Sequence, residues 1–108
     1  METLKIENQT KSIEIASTII DQIRYADKFA LMAWGGREFV ALPESEEFQG
    51  GLRFRVNGLK HKGYVVVQLR WVDDYTVSFL NKKGHLVHKS EGVYCDMLVL
   101  IIDWIEGK

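Results

Sequence analysis

The hydrophobic residues near the start of the chain recur every three or four positions. This spacing predicts an amphipathic helix from Thr10 to Asp27, because residues at that interval share one helix face. Thr10 or Ser12 is the expected N-cap. Isoleucine is only a moderate helix former, so the helix is expected to depend on packing against a sheet. Its apolar face consists of Ile13, Ala16, Ile19, Ile20 and Ile23.

The middle of the chain alternates between apolar and polar residues, which is the two-residue period of a β-strand. In residues 52–56, three apolar side chains alternate with Arg53 and Arg55. Residues 63–80 contain two further runs joined at Asp73-Asp74, and a short last strand is predicted at residues 85–89. These runs predict the centre of an antiparallel sheet.

Two more strands are predicted upstream, at residues 28–34 and 37–42. Gly35-Gly36 lies between them and favours a tight hairpin turn, because glycine adopts positive φ without a Cβ clash. Pro43 is expected to end the second strand, since proline has no amide hydrogen for the ladder. Residues 43–51 are the least regular part of the chain, and their acidic residues are expected either to begin one helical turn or to form a solvated loop.

The C-terminal residues are apolar on more than one side. Ser90 is the expected cap of a helix from about Glu91 to Glu106. So wide an apolar surface usually contacts two neighbours, here either the N-terminal helix or another copy of the protein. One stripe consists of Cys95, Leu98, Ile102 and Ile105, and the other of Tyr94, Met97, Ile101 and Trp104.

Together these elements predict one α+β domain spanning residues 1–108. We expect an antiparallel meander sheet of five to six strands, with an N-terminal and a C-terminal helix packed on one face. The length of 108 residues is close to the commonest domain size and allows a single core without disulfides or metals.

The composition narrows the class of protein. A single cysteine, Cys95, excludes an intramolecular disulfide. Residues 1–5 lack the features of a signal peptide, and the longest apolar run, residues 97–102, is far too short to span a bilayer. We therefore expect a cytoplasmic protein without a membrane partner.

The charges are unevenly distributed, although the net charge is −1. Residues 51–89 contain eight basic and two acidic residues, whereas both flanking segments are acidic. If helices cover the apolar face of the sheet, the opposite face is basic. Such a face could neutralise phosphates and stack on bases, which makes nucleic acid a candidate partner. The residues predicted to bind it are Arg53, Arg55, Lys60, Lys62, Tyr64, Gln68 and Arg70.

Residues typical of catalysis occur without the partners that catalysis needs. His85 and His88 point to opposite faces of a strand and lack further metal ligands, so no metal site is expected. Cys95 is expected to be a buried small hydrophobe, and Asp73-Asp74 is explained by a turn. We expect no catalytic residue, no cofactor and no small-molecule ligand, and an enzyme is the least favoured alternative.

The wide apolar C-terminal helix favours a different function. It indicates a non-enzymatic protein-interaction module that self-associates, with a homodimer as the expected assembly. The predicted interface residues are Tyr94, Met97, Ile101 and Trp104. Nucleic-acid binding through the basic face is the main alternative, and a dimer would double that face.

Two segments also resemble a known group of proteins. Residues 30–69 (ALMAWGGREFVALPESEEFQGGLRFRVNGLKHKGYVVVQL) and 92–98 (GVYCDML) resemble a family of small uncharacterised proteins from bacterial genomes and mobile elements, of Bacteroidetes type. The resemblance implies a bacterial, cytoplasmic accessory protein. Phage or plasmid biology would favour nucleic acid as the partner. It implies no site residue.

Overall fold

A computed structural model describes residues 10–107 of the chain. Two helices precede a run of five strands, and a helical segment follows the last strand. The helices before the sheet are α1 (Thr10–Ala26) and α2 (Ala30–Ala33), and the strands are β1 (Arg37–Leu42), β2 (Phe48–Asn57), β3 (Lys62–Arg70), β4 (Tyr75–Leu80) and β5 (Leu86–Val93). The C-terminal helical segment comprises a 3₁₀ turn (Cys95–Met97), α3 (Leu98–Ile102) and a second 3₁₀ turn (Asp103–Glu106).

The strands form one antiparallel meander in the order β1-β2-β3-β4-β5. Residues that pair directly across an antiparallel ladder lie on the same face. Leu52 pairs with Val67, which pairs with Val77, and all three side chains are fully buried. The predicted α+β class and the meander sheet are therefore confirmed, with five strands in the described residues.

The helices cover this apolar face of the sheet. Helix α1 packs on β1 and β2, and its buried residues Ala16, Ile19 and Ile23 belong to the same cluster as the inner sheet face. The Tyr75 hydroxyl also donates a hydrogen bond to Gln22 Oε1 at 2.7 Å, which joins β4 to α1. Burial raises the pKa of Tyr75. The C-terminal helical segment adds Leu98, Ile102 and Ile105 to the cluster.

The strand predicted at residues 28–34 is wrong, because these residues include helix α2 instead. The Asp27 carboxylate accepts a hydrogen bond from the Phe29 amide at the start of this turn. Alanine, leucine and methionine are among the best helix formers, so the local preference of Ala30–Ala33 agrees with the helix. Trp34 is buried, and its indole Nε1 donates to Asp103 Oδ1 at 2.8 Å.

The predicted Gly35-Gly36 hairpin is wrong for the same reason, since no strand precedes it. The two glycines lead from α2 into β1. Gly35 has a φ of 67°, and the Gly36 amide donates to the Leu31 carbonyl at 2.8 Å. The positive φ of Gly35 ends the helix, which is a common role of glycine after a helix C-terminus.

The start of β2 and the end of β5 also differ from prediction. Strand β2 begins at Phe48, within residues 43–51, which are expected to form a helical turn or a loop. At the other end, β5 continues to Val93, so Ser90 lies within a strand and pairs with Val77 instead of capping a helix. Gly92 has a φ of 68°, and the helical segment begins only at Cys95. Glycine at this angle favours a bulged strand over a helix interior.

The core assignment can be tested by removing buried and exposed leucine side chains. Leu52→Ala should lower the free energy of unfolding by about 2–5 kcal/mol, because it leaves a cavity on the inner sheet face. Leu100→Ala makes the same chemical change at a side chain that is 72% exposed. It should change the free energy of unfolding by no more than about 0.5 kcal/mol. Urea denaturation measures both. Equal losses would contradict the assigned core face.

Candidate functional site

The face of the sheet opposite the helices carries the polar residues of the alternating strands. We call it the open face, and define it by two rows that run across the strands. In one row Arg53 pairs with Val66, Val66 with Ser78 and Ser78 with Lys89; in the other, Arg55 pairs with Tyr64, Tyr64 with Leu80 and Leu80 with Leu86. The register therefore brings the two arginines of β2 next to the tyrosine of β3.

Arg53, Arg55 and Tyr64 form what we call the arginine–tyrosine cluster. The guanidinium carbons of Arg53 and Arg55 lie 5.5 and 5.9 Å from the centre of the Tyr64 ring. At these distances the negative ring face attracts both cations. The ring thereby holds two like charges side by side on the surface.

The carboxylates near this cluster neutralise it only in part. Among residues 10–107, Arg53 forms no ion pair. Arg55 lies 3.7 Å from Glu38, but both side chains are solvent-accessible, so the pair is weak. The exposed Lys82 and Lys83 occupy the β4–β5 turn, at the end of the sheet where Tyr64 pairs with Leu80. The cluster is thus the more positive end of the open face.

Arg70 lies at the other end of the open face and is held by an acidic residue. Its Nε and Nη2 donate to the two carboxylate oxygens of Asp74 at 2.5 and 2.6 Å. The hydrogen bond from Arg70 lowers the pKa of Asp74, which is only 6% exposed, and the same bond raises the pKa of Arg70. The predicted turn at Asp73-Asp74 is present, but the sequence pattern did not reveal that Asp74 binds Arg70.

The remaining predicted binding residues are divided between two places. Gln68 lies on the open face opposite Thr76. Lys62 is the first residue of β3, and its ammonium donates to the Gly58 carbonyl at 3.0 Å. Lys60 lies outside the open face, with its ammonium 4.4 Å from the centre of the Trp104 ring. The structure therefore brings together Arg53, Arg55 and Tyr64, and separates Lys60 from them.

The predicted interface residues of the C-terminal segment mostly pack within the fold. Met97, Ile101 and Trp104 are half-buried against the core, and Tyr94 is exposed. The Trp104 ring stacks on His88, with centroids 4.4 Å apart and an interplanar angle of 12°. The broad apolar surface of this segment thus already has neighbours within one copy of the chain.

The sequence places His61 in the loop beside the basic face, between Lys60 and Lys62, but the side chain packs inward. It is buried beside the rings of Phe79 and Trp104, and its Nε2 is buried without a hydrogen-bond partner. His61 lies in the loop between β2 and β3, where no alternation of apolar and polar residues indicates that the imidazole packs inward. Its amide and that of Lys60 both donate to the Ile105 carbonyl, so this loop is tied to the C-terminal segment.

His85, His88 and Cys95 are the residues whose side chains could bind a metal or act as a nucleophile. His85 is exposed in the β4–β5 turn while His88 stacks on Trp104, and residues 10–107 contain no group of three or more potential metal ligands. The expected burial of Cys95 is wrong: the thiol-bearing residue is exposed in the 3₁₀ turn after β5. It lines a largely apolar cleft against α1 together with Gln22 and Tyr25.

A second cleft lies at the Arg70 end of the open face. Its volume is about 340 Å³, and the exposed turn residues Trp71 and Val72 form one side. The cations that line it are already paired, Arg70 with Asp74 and Lys89 with Glu91. With Glu46 and Glu47 on its rim, this end of the face is unfavourable for an anion.

Comparison with family models, with curated protein sequences and with solved structures found no match to this chain. Within residues 10–107, no helix has the length and hydrophobicity needed to cross a bilayer.

The Arg70–Asp74 pair predicts a pH-dependent contribution to stability. Because the pKa of Asp74 is lowered by folding, its carboxylate stabilises the fold above the ordinary aspartate pKa of about 4, and this contribution is lost as the pH falls through the lowered value. Asp74→Asn should therefore destabilise the protein at pH 7, and its deficit relative to the native sequence should shrink below about pH 4.

Urea denaturation at a series of pH values measures this effect. Asp21→Asn, which removes an exposed carboxylate on α1 without a described ion pair, is the matched control and should leave the pH profile unchanged. A deficit for Asp74→Asn that is the same at pH 7 and at low pH would contradict the assigned pair.

Proposed function

We propose that this protein is a non-enzymatic binding module that binds single-stranded nucleic acid on the open face of its sheet. The observation that carries the proposal is the arginine–tyrosine cluster, in which one ring holds the guanidinium groups of Arg53 and Arg55. Guanidinium groups bind phosphate oxygens, and Arg53 has no described carboxylate that competes for it.

The shape of the surface favours single strands over a duplex. The cluster lies on a sheet face, and no described helix projects from that face to enter the major groove. A flexible strand can instead place its phosphates on the arginines and its bases against the tyrosine or the guanidinium planes. This mode of binding tolerates many sequences, since every base presents a π-face.

The charge distribution limits where the strand would lie. The cluster lies at the end of the sheet that carries the β4–β5 turn with its exposed Lys82 and Lys83, whereas Glu46, Glu47 and Glu91 lie at the opposite end. We therefore place the strand across the Tyr64 end of the face. Arg70 contributes less than its charge suggests, because Asp74 already occupies two of its nitrogens.

Self-association through the C-terminal helix is the less favoured proposal. The sequence predicts it from the apolar residues Met97, Ile101 and Trp104, which would contact a second copy if they were exposed. These side chains pack against the core of the same chain, and of the predicted interface only Tyr94 is exposed. Packing within one chain therefore accounts for most of the apolar residues in this segment.

Binding can be measured by the fluorescence anisotropy of a labelled single-stranded oligothymidine at low salt. We expect the affinity to fall with salt with a logarithmic slope of about −2, as for about three neutralised phosphates. Arg53→Glu with Arg55→Glu should weaken binding by about tenfold or more, which is at least about 1.4 kcal/mol.

Matched variants separate the cluster from general charge. Arg24→Glu with Lys28→Glu makes the same change in net charge at two exposed residues outside the open face, and should bind nearly as well as the native protein. Tyr64→Ala should weaken binding by about 1–3 kcal/mol, whereas Tyr64→Phe keeps the ring and should not. No binding at low salt, or equal losses in both charge-reversal variants, would contradict the proposal.

A further inference from the structure

Strand β5 is the last strand of the sheet, and no other strand among residues 10–107 pairs with its outer edge. Apart from the ladder to β4, residues 86–93 form no backbone hydrogen bonds within the described part of the chain. The outer amide and carbonyl groups of such an edge are a template for pairing with another strand. Leu86 and Val87, which are 58% and 51% exposed, add apolar surface at this edge.

The charged residues of β5 determine which strand would be complementary to its outer edge. Lys89 and Glu91 are exposed, lie on either side of Ser90, and form an ion pair at 3.2 Å. A cation and an anion placed symmetrically about one residue are complementary to an antiparallel copy of the same sequence. We propose that β5 pairs with β5 of a second copy of this chain about a two-fold axis at Ser90.

This register gives each charge an opposite partner. Residues equally distant from Ser90 lie across from one another, so Lys89 faces the partner's Glu91 and Glu91 faces the partner's Lys89. Opposite charges at directly opposed positions stabilise an antiparallel ladder, and like charges there destabilise it. The interface is isologous and closes at two copies.

The other sheet edge fits this arrangement less well. Strand β1 has only six residues, its pairing with β2 is irregular after Arg37, and Glu38 has a φ of 57°. Strand β5 is longer, but its register with β4 also shifts near Leu86 and after Ser90. The regular ladder is therefore short, and the dimer should be weak and concentration-dependent.

Pairing between two copies of β5 does not require nucleic acid, although dimerisation would strengthen nucleic-acid binding. A two-fold axis perpendicular to the sheet keeps both open faces on the same side of a ten-stranded sheet, five strands being supplied by each copy. Two arginine–tyrosine clusters would then lie on one continuous surface. A single strand long enough to reach both would bind with avidity.

Sedimentation velocity across about 10 μM to 1 mM tests the dimer directly. The native protein should shift from monomer to dimer over this range. Lys89→Glu and Glu91→Lys should each abolish the shift, because each places like charges opposite one another on both sides of the two-fold axis. The double variant, Lys89→Glu with Glu91→Lys, reverses every pair and should restore the native dimerisation.

The control is Lys83→Glu, which makes the same charge change in the neighbouring turn and should leave dimerisation unchanged. Circular dichroism should confirm that each variant is folded. A native protein that remains monomeric at the highest concentration, or a folded double variant that does not regain the dimer, would overturn the proposal. Because the oligonucleotide assay reads binding by monomer at low protein concentration, the two proposals can fail separately.

Discussion

The structure depends on the different surroundings of the two faces of its central strands. Leu52, Val67 and Val77 are adjacent in register and buried beneath the helices. A slip of one residue would expose this row and bury charged side chains, so the apolar face fixes the register of the whole sheet. The same register places Arg53 and Arg55 beside Tyr64 on the opposite face. The candidate site is therefore a consequence of how the core is built.

Local patterns were sufficient for the elements whose partners are close in sequence. The period of α1 and the alternation of β2, β3 and β4 predicted those elements, and with them the face that carries Arg53, Arg55 and Tyr64. The prediction for residues 28–34 is wrong because a short apolar run fits a strand or a buried helix equally well by periodicity. The end of β5 was missed because its ladder to β4 extends to Val93 beyond a glycine, and pairing of that kind depends on contacts between strands.

Side-chain contacts between distant residues explain the rest of the differences at the candidate site. Nothing in the sequence pairs Lys60 with Trp104, which follows it by more than forty positions, yet this contact takes Lys60 away from the open face. Arg70 and Asp74 are close in sequence, but only the tight turn between β3 and β4 brings their side chains together. Sequence alternation can thus assign a charge to a face, whereas the availability of that charge depends on the turns and rings around it.

A net charge of −1 is compatible with binding a polyanion, because the carboxylates around Arg70 lie far from the arginine–tyrosine cluster. Tyr64 and Arg70 are six residues apart on β3, which corresponds to about 20 Å along an extended strand. The Debye length at physiological ionic strength is about 8 Å. Carboxylates around Arg70 are therefore largely screened from a phosphate held at Arg53 and Arg55, and the local potential at the cluster is set mainly by its own cations. Glu38 is the exception, since it lies within 3.7 Å of Arg55, and its weak exposed pair leaves Arg53 as the cation most open to a ligand.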